Sequence, residues 1–267
     1  MARKSKAISL ANFVDRLQAS GRYTFTRAEA ERDSHLDGAS LEAALRRLRG
    51  RGRIASPRRG FHVIVPIEYQ DAGAPPPAWF IDELMRFLGQ PYYVGLLSAA
   101  ALHGAAHQQP MVFQLVTDRP TRPARAGRAR IAFHAARNLA RVPVASLPTE
   151  TGTMRVSTPE ATAFDLVRFA AAAGHLSNVA TALGELAEKL SPVALTKLAP
   201  EHALPDVQRL GYLLELVGEG EKAAGLAGWL EGQRVRPIVL DRGRPRGPAE
   251  PSGLWRVIPN FEIEVDR

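Results

Sequence analysis

A mixed α/β chain in two parts is what this 267-residue sequence predicts: an N-terminal winged helix-turn-helix followed by a larger α/β domain. Three observations carry that prediction. The first seventy residues read as three short helices and a hairpin, in that order. Their charge differs from that of the rest. Beyond a proline-rich segment, β-rich runs are interspersed with helical patterns.

The charge divides sharply. Residues 1–70 hold 14 Lys+Arg against 7 Asp+Glu, a net of +7, residues 71–160 net +3 and residues 161–267 net −2, within a total of +8. A polyanion-binding module joined to a body with other work gives such an asymmetry, and so does a solvated, arginine-rich surface. Hydrophobic residues make up 45% of the chain, enough for real cores. There are no cysteines, which excludes disulfides, thiolate metal sites and a cysteine nucleophile. No apolar run reaches the length of a membrane span, and the charged start MARKSK is not followed by a signal-peptide core. The expected location is the cytoplasm, away from membranes.

The helices of the first part follow from periodicity and caps. Leu10, Phe13, Val14 and Leu17 form one stripe at i, i+3, i+4 and i+7, opened by Ser9 and stopped near Gly21. Thr26 and Glu29 make the S/T-x-x-E capping box, so a second helix begins at Arg27. A third helix runs from about Ala39 to Arg49, with Leu41, Ala44, Leu45 and Leu48 on its apolar face. At about 100° per residue, Ala43, Arg46 and Arg47 lie opposite, with Ser40 near the edge. Two strands follow, Arg53–Ala55 and Phe61–Val65, joined by the turn-forming run Ser56-Pro57-Arg58-Arg59-Gly60.

In a winged helix-turn-helix the third helix enters the major groove and the wing reaches the backbone or minor groove. Arginine suits both, because its guanidinium fork pairs with phosphates and with guanine edges. Winged helices also serve as protein-interaction modules, and Arg49, Arg51 and Arg53 fit a merely solvated edge.

"YQDAGAPPPAW" (69–79) reads as a stiff connector, which gives domains at 1–70 and 79–267 with a Pro-rich linker at 71–78. Trp79, Phe80, Leu84, Phe87 and Leu88 pattern a helix ended by Gly89, and "VGLLSAAALHGAA" a second, buried one. Residues 111–118 and 129–135 read as strands, and the Pro- and Arg-rich stretch between them as a loop. "GTMRVSTPEATAFDLVRF" passes from a strand to a helix with Thr158 as N-cap and Pro159 at N1, Glu160 complementing the helix dipole. Four short helices occupy 176–231, and strand-like pieces return at "RPIVLD" and "LWRVIP".

Candidate chemistry is sparse. His103 and His107 stand at i, i+4 in "HGAAH", but the glutamate of HExxH is missing and no third ligand follows, so packing or capping is expected and no metal. Arg119, Arg122, Arg125, Arg128 and Arg130 form a second basic cluster, read as a solvated loop or an extra nucleic-acid contact. Glu160 and Asp165 are five residues apart, about 140° round a helix, and do not converge on one ion. Gly127 stands alone, so there is no phosphate-binding P-loop. No catalytic residue and no cofactor are expected.

The stretches at 75–123 and 151–169 resemble the AbiEi family of antitoxins from type IV toxin–antitoxin, or abortive infection, systems. The likeness is carried by "YYVGLLSAAALHGAAHQQPMVFQ" (92–114), "GRARIAF" (127–133) and "STPEATAFDLVR" (157–168), and it fades beyond about residue 200. It implies an N-terminal domain that binds inverted repeats in double-stranded DNA upstream of its own operon and represses it; winged helices commonly occupy such repeats as two copies, which requires no dimer in solution. It also implies a second domain that counters AbiEii, a nucleotidyltransferase-like toxin, without forming a stable complex with it. By position, the DNA-binding residues become Thr26, Arg27, Ser40, Ala43, Arg46, Arg47, Arg58 and Arg59. The family supplies no catalytic residue, and residues 232–267 receive no role from it. Two other readings stay open: a regulator whose α/β body senses a small molecule, and a nuclease, for which the clustered carboxylates are missing.

Overall fold

The computed structural model describes residues 9–105 and 110–264. The chain runs α1 (Leu10–Ala19), β1 (Thr24–Thr26), α2 (Arg27–Ser34), α3 (Gly38–Gly50), β2 (Ile54–Arg58), β3 (Phe61–Ile64), α4 (Ile81–Leu88), β4 (Tyr92–Val94) and α5 (Leu96–Leu102). It continues through β5 (Phe113–Thr117), β6 (Ala124–Ala126), β7 (Ala129–Ala135), β8 (Val144–Thr149), β9 (Gly152–Ser157) and α6 (Pro159–Arg168). Four more helices follow, α7 (His175–Leu186), α8 (Pro192–Leu198), α9 (Leu204–Leu216) and α10 (Gly220–Glu231), and two short strands, β10 (Ile238–Val239) and β11 (Val257–Ile258). The strands form three sheets, ordered β1-β3-β2, β6-β7-β5-β4-β9-β8 and β10-β11. The chain is mixed α/β, as its patterning predicts. Among the described residues no helix is long and apolar enough to cross a membrane.

Contacts divide the chain into two compact units. The first comprises Met1–Tyr92, Met111–Arg137 and Ser146–Arg155, and the second Tyr93–Pro110, Asn138–Ala145 and Val156–Arg267. In the first, α1, α2, α3 and the sheet β1-β3-β2 have the order and pairing of a winged helix. Their core is the α1 stripe (Leu10, Phe13, Val14) closed against Leu41, Leu45 and Leu48 of α3, with Phe25, Ile54 and Ile64 from the sheet. Phe13 meets Phe25 edge-on, with ring centroids 5.5 Å apart. The capping box at Thr26 and Glu29 is present, and Asp37, which the sequence reading passed over, caps α3 by accepting from Ser40 N at 3.1 Å.

The hairpin differs from the sequence reading in one respect. Strand β2 continues to Arg58, so Ser56 and Pro57 lie in the strand and the turn shrinks to Arg59-Gly60. The register shifts between Ala55 and Arg58, a bulge where Pro57 is tolerated because no ladder N–H is required of it.

The stretch between Asp118 and Arg130 is also more ordered than its composition suggests. Ala124–Ala126 is a strand, paired antiparallel with β7, with Ala124 and Ala126 buried and Arg125 exposed. Two alanines are too short a signal for alternation to reveal. The turn at Gly127 closes on residues 72–73: Arg128 N donates to Ala72 O at 2.8 Å, and a Cβ on Gly127 (φ +54°) would stand 2.2 Å from the same oxygen. The Pro-rich segment is thereby held inside the first unit, so the borders of the compact units do not follow the expected break at 71–78. Composition sets the stiffness of a segment but not the surface it packs on.

The second unit is a helical core around α6, whose residues Glu160 to Val167 are all buried. Leu183 of α7, Leu195 of α8, Leu210 and Leu214 of α9 and Leu226 of α10 pack into the same cluster. Residues 232–264 reach this core through Leu240, Trp255 and Val257. Trp255 is 1% exposed, and its indole lies so close to Gly211 that a Cβ there would meet the ring at 2.0 Å. The strand β10 pairs parallel with β11. Polar side chains of α9 hold the tail's backbone. Gln208 Nε2 donates to Trp255 O at 2.8 Å and Arg236 O at 3.0 Å, and Arg209 donates to the carbonyls of Val239 (2.7 Å from Nη2) and Leu240 (3.0 Å from Nε).

Candidate nucleic-acid interface

The third helix presents Ser40, Arg46 and Arg47 to solvent, with Ala43 half-buried, while Leu41, Ala44, Leu45 and Leu48 are buried as the periodicity requires. Among the described residues neither Arg46 nor Arg47 forms an ion pair, and Arg59, at the hairpin turn, is likewise exposed and unpaired. These three guanidinium groups are available to an incoming anion.

The other expected residues have protein partners. Thr26 is occupied by the capping box: its Oγ1 accepts from Glu29 N at 3.2 Å while its N–H donates to Glu29 Oε2 at 2.7 Å. Burial raises the pKa of Glu29, but the Thr26 N–H and the Arg22 guanidinium outweigh it and hold the carboxyl below its ordinary value. Arg27 donates to Glu42 Oε2 at 3.0 Å, and Arg49 to Glu42 Oε1 at 2.8 Å. One carboxylate thus bridges the start of α2 and the end of α3. The sequence reading gave Glu42 no part, although Glu42 and Arg49 stand seven residues apart on one helix face, a legible signal.

A cleft of about 450 Å³ lies between α3 and the hairpin, lined by Arg27, Glu42, Arg49, Ser56, Arg59 and His62. His62 is buried, tilted against Phe25 at 5.0 Å, with Nδ1 2.8 Å from Ser56 Oγ. Burial, reinforced by Arg49, lowers its pKa to about 4, so it is neutral at physiological pH.

Arg58 is the turning point of this surface. Its Nη1 donates to Pro123 O at 3.0 Å and to Pro57 O at 3.2 Å, its Nη2 donates to Arg122 O, and the guanidinium lies 5.4 Å from the centre of the Phe133 ring. Burial lowers its pKa from the ordinary arginine value. The wing is therefore fastened to the β6–β7 hairpin, where Arg122, Arg125, Arg128 and Arg130 are exposed. The second basic cluster is brought beside the first by a side chain expected to face DNA. Sequence spacing does not show this, because 64 residues separate Arg58 from Arg122.

The motif residues of the second unit serve its packing. Tyr93 Oη donates to Asp165 Oδ1 at 3.2 Å, and Ser157 Oγ lies 2.7 Å from Thr162 Oγ1. Thr158 caps α6, accepting from Ala161 N at 3.4 Å. Glu160 reaches beyond its own helix and accepts from Ser191 N at 3.0 Å, at the cap of α8. His103 Nε2 lies 2.7 Å from Ser157 O, and His107 is outside the described residues. Among the described residues no group of three or more His, Asp or Glu is placed to hold a metal ion.

The sequence profile of the AbiEi antitoxin C-terminal domain matches residues 93–216. Those residues belong to the AbiEi family. The match begins within β4 and ends with α9, so the AbiEi domain takes in the Tyr93–Asp165 pair and the Thr158 cap just described. Among solved structures, the RV2827C protein from Mycobacterium tuberculosis superposes with a TM-score of 0.68 at 18% identity, over 94% of this chain and 92% of that one. At that identity the two share a fold. No curated protein matches the sequence.

Proposed function

We propose that this chain is an AbiEi-type, non-enzymatic antitoxin of a type IV abortive infection system that also represses its own operon. The winged helix binds inverted repeats in its promoter as two copies on double-stranded DNA, with Ser40, Ala43, Arg46 and Arg47 of α3 in the major groove and Arg59 of the wing at the backbone. Thr26, Arg27 and Arg58 shape this surface through their protein partners. The AbiEi domain counters the effect of a nucleotidyltransferase-like AbiEii toxin in the cytoplasm without holding the toxin in a stable complex.

The observation that carries the DNA reading is the exposed trio Arg46, Arg47 and Arg59, without an ion-pair partner among the described residues, on a winged-helix body in the part of the chain with a net charge of +7. Antitoxin action is supported by the AbiEi match. Electrophoretic shifts on the promoter at several salt concentrations test the first part. Loss of a base contact in Arg46→Ala or Arg47→Ala weakens binding by about 1–3 kcal/mol, and unchanged affinity in both rejects it. A growth-rescue assay tests the second part. The adjacent toxin gene is induced in cells carrying the full chain or none, and a toxic neighbour without rescue rejects antitoxin action.

A further inference from the structure

The second unit as a whole leans acidic, yet it contains a cleft of about 490 Å³ whose charged lining is mostly arginine. Arg168 at the end of α6, Arg209 on α9, and Arg242 and Arg244 after β10 face it, together with His175 at the start of α7 and Asp241. Val167, Leu176 and Leu240 give it apolar walls.

The charges within it do not balance. Arg244 Nε pairs with Asp241 Oδ2 at 3.3 Å. Arg242 pairs with Asp206, which also lies 3.8 Å from Arg209. Three guanidinium groups thus share two carboxylates. Among the described residues Arg168 has no acidic partner in ion-pair range, its guanidinium lying 5.3 Å from the centre of the Phe169 ring. Burial of Arg209, followed by the charge of Arg242, lowers the Arg209 pKa to about 10, so it remains charged at neutral pH. Its side chain is rigid, 4% exposed and tied to three backbone carbonyls. Fixed like charges between apolar walls repel one another until an anion joins them.

We propose that this cleft binds a small phosphorylated ligand. Guanidinium groups pair bidentately with phosphate oxygens, and the cleft's volume falls in the range that holds small molecules. Arg168 and Arg244 supply the phosphate contacts from the rim, and Arg209 fixes the positive potential of the wall. The apolar walls accept the remainder of the ligand. The site lies entirely within the second unit, and its occupation is independent of the DNA-binding reading.

The test is calorimetric titration of the full chain with inorganic pyrophosphate and with ADP, alongside thermal melting. One-to-one binding of at least one probe is expected, with a rise in Tm. Arg168→Ala is expected to weaken it tenfold or more, while Arg47→Ala binds as the native chain does. Arg168 has no ion-pair partner among the described residues, so the unliganded Tm of its variant is expected to stay unchanged. If that Tm nevertheless falls, Arg244→Gln replaces it in the same comparison. Absence of binding by both probes at millimolar concentration overturns the proposal, as does an equal loss in Arg47→Ala. A short duplex of unrelated sequence that binds in an Arg168-dependent way, with neither probe binding, overturns it in favour of a nucleic-acid contact.

Discussion

Arg46 and Arg47 on α3 and Arg209 on α9 are the same residue type on helices of equal length, 13 residues, and they do opposite things. The first two stand in solvent with no acidic partner among the described residues. The third is 4% exposed, and its donors bond the carbonyls of Pro205, Val239 and Leu240. A guanidinium with its donors occupied by backbone acts as a structural strut, and one facing water can exchange that water for a phosphate or a base edge. Arg58 is expected by sequence to belong to the first kind and by its contacts belongs with the second.

Substitutions that break the comparison at its structural end have the largest effects. Trp255→Ala removes the fully buried indole that anchors the tail on α9 and is expected to lower stability by about 3–5 kcal/mol, read by chemical denaturation. An effect below ~1 kcal/mol would show that the tail is not part of the core. Gly127→Ala forces a Cβ into the Ala72 carbonyl at a left-handed backbone position, and a loss of about 2–3 kcal/mol is expected. Arg58→Ala is expected to lower stability by about 1–2 kcal/mol while leaving the salt dependence of DNA binding unchanged. A slope reduced by about one unit with unaltered Tm would return Arg58 to the phosphate-contacting group.

Two smaller tests sharpen the contrast. In Glu42→Gln the shared carboxylate no longer neutralises Arg27 and Arg49, so DNA binding is expected to tighten and its salt slope to steepen by up to about one unit per arginine released. Asp165 provides a pH test in the second unit. Burial raises its pKa from 3.8 to about 7, against the lowering effects of Tyr93 and Arg168. A carboxyl with a raised folded pKa stays protonated after the unfolded chain has ionised, so stability falls as pH rises from about 4 to 7. The advantage of Asp165→Asn over the native chain is therefore expected to grow across that window, by up to about 1.4 kcal/mol per pH unit. Buried His62 and His202, each with a pKa lowered to about 4, act in the opposite sense below pH 6.5 in both proteins and cancel from the difference.

The candidate site was legible where its signals are local. Leu41, Leu45 and Leu48 against Arg46 and Arg47 settle which face of α3 is exposed, because side chains 100° apart round a helix need no partner to be sorted. The capping boundary at Thr26 is equally local. The β1 and β6 strands were not legible, since three residues carry too little alternation to show against a background of threonine or alanine and arginine. Glu42 was missed because it stood among arginines on a face read only for positive charge.

The sequence by itself determined the order of the three N-terminal helices and the hairpin after them, the exposed face of α3, the cap at Thr158 and the AbiEi likeness, all features written within a few turns of chain or in a contiguous motif. The tertiary structure alone decided which arginines are struts, that the Pro-rich segment is held at the Gly127 turn, and that residues 232–264 complete the core of the second unit. Each of these depends on groups tens of residues apart, where hydrogen bonding and packing select the partner and no periodicity records the choice.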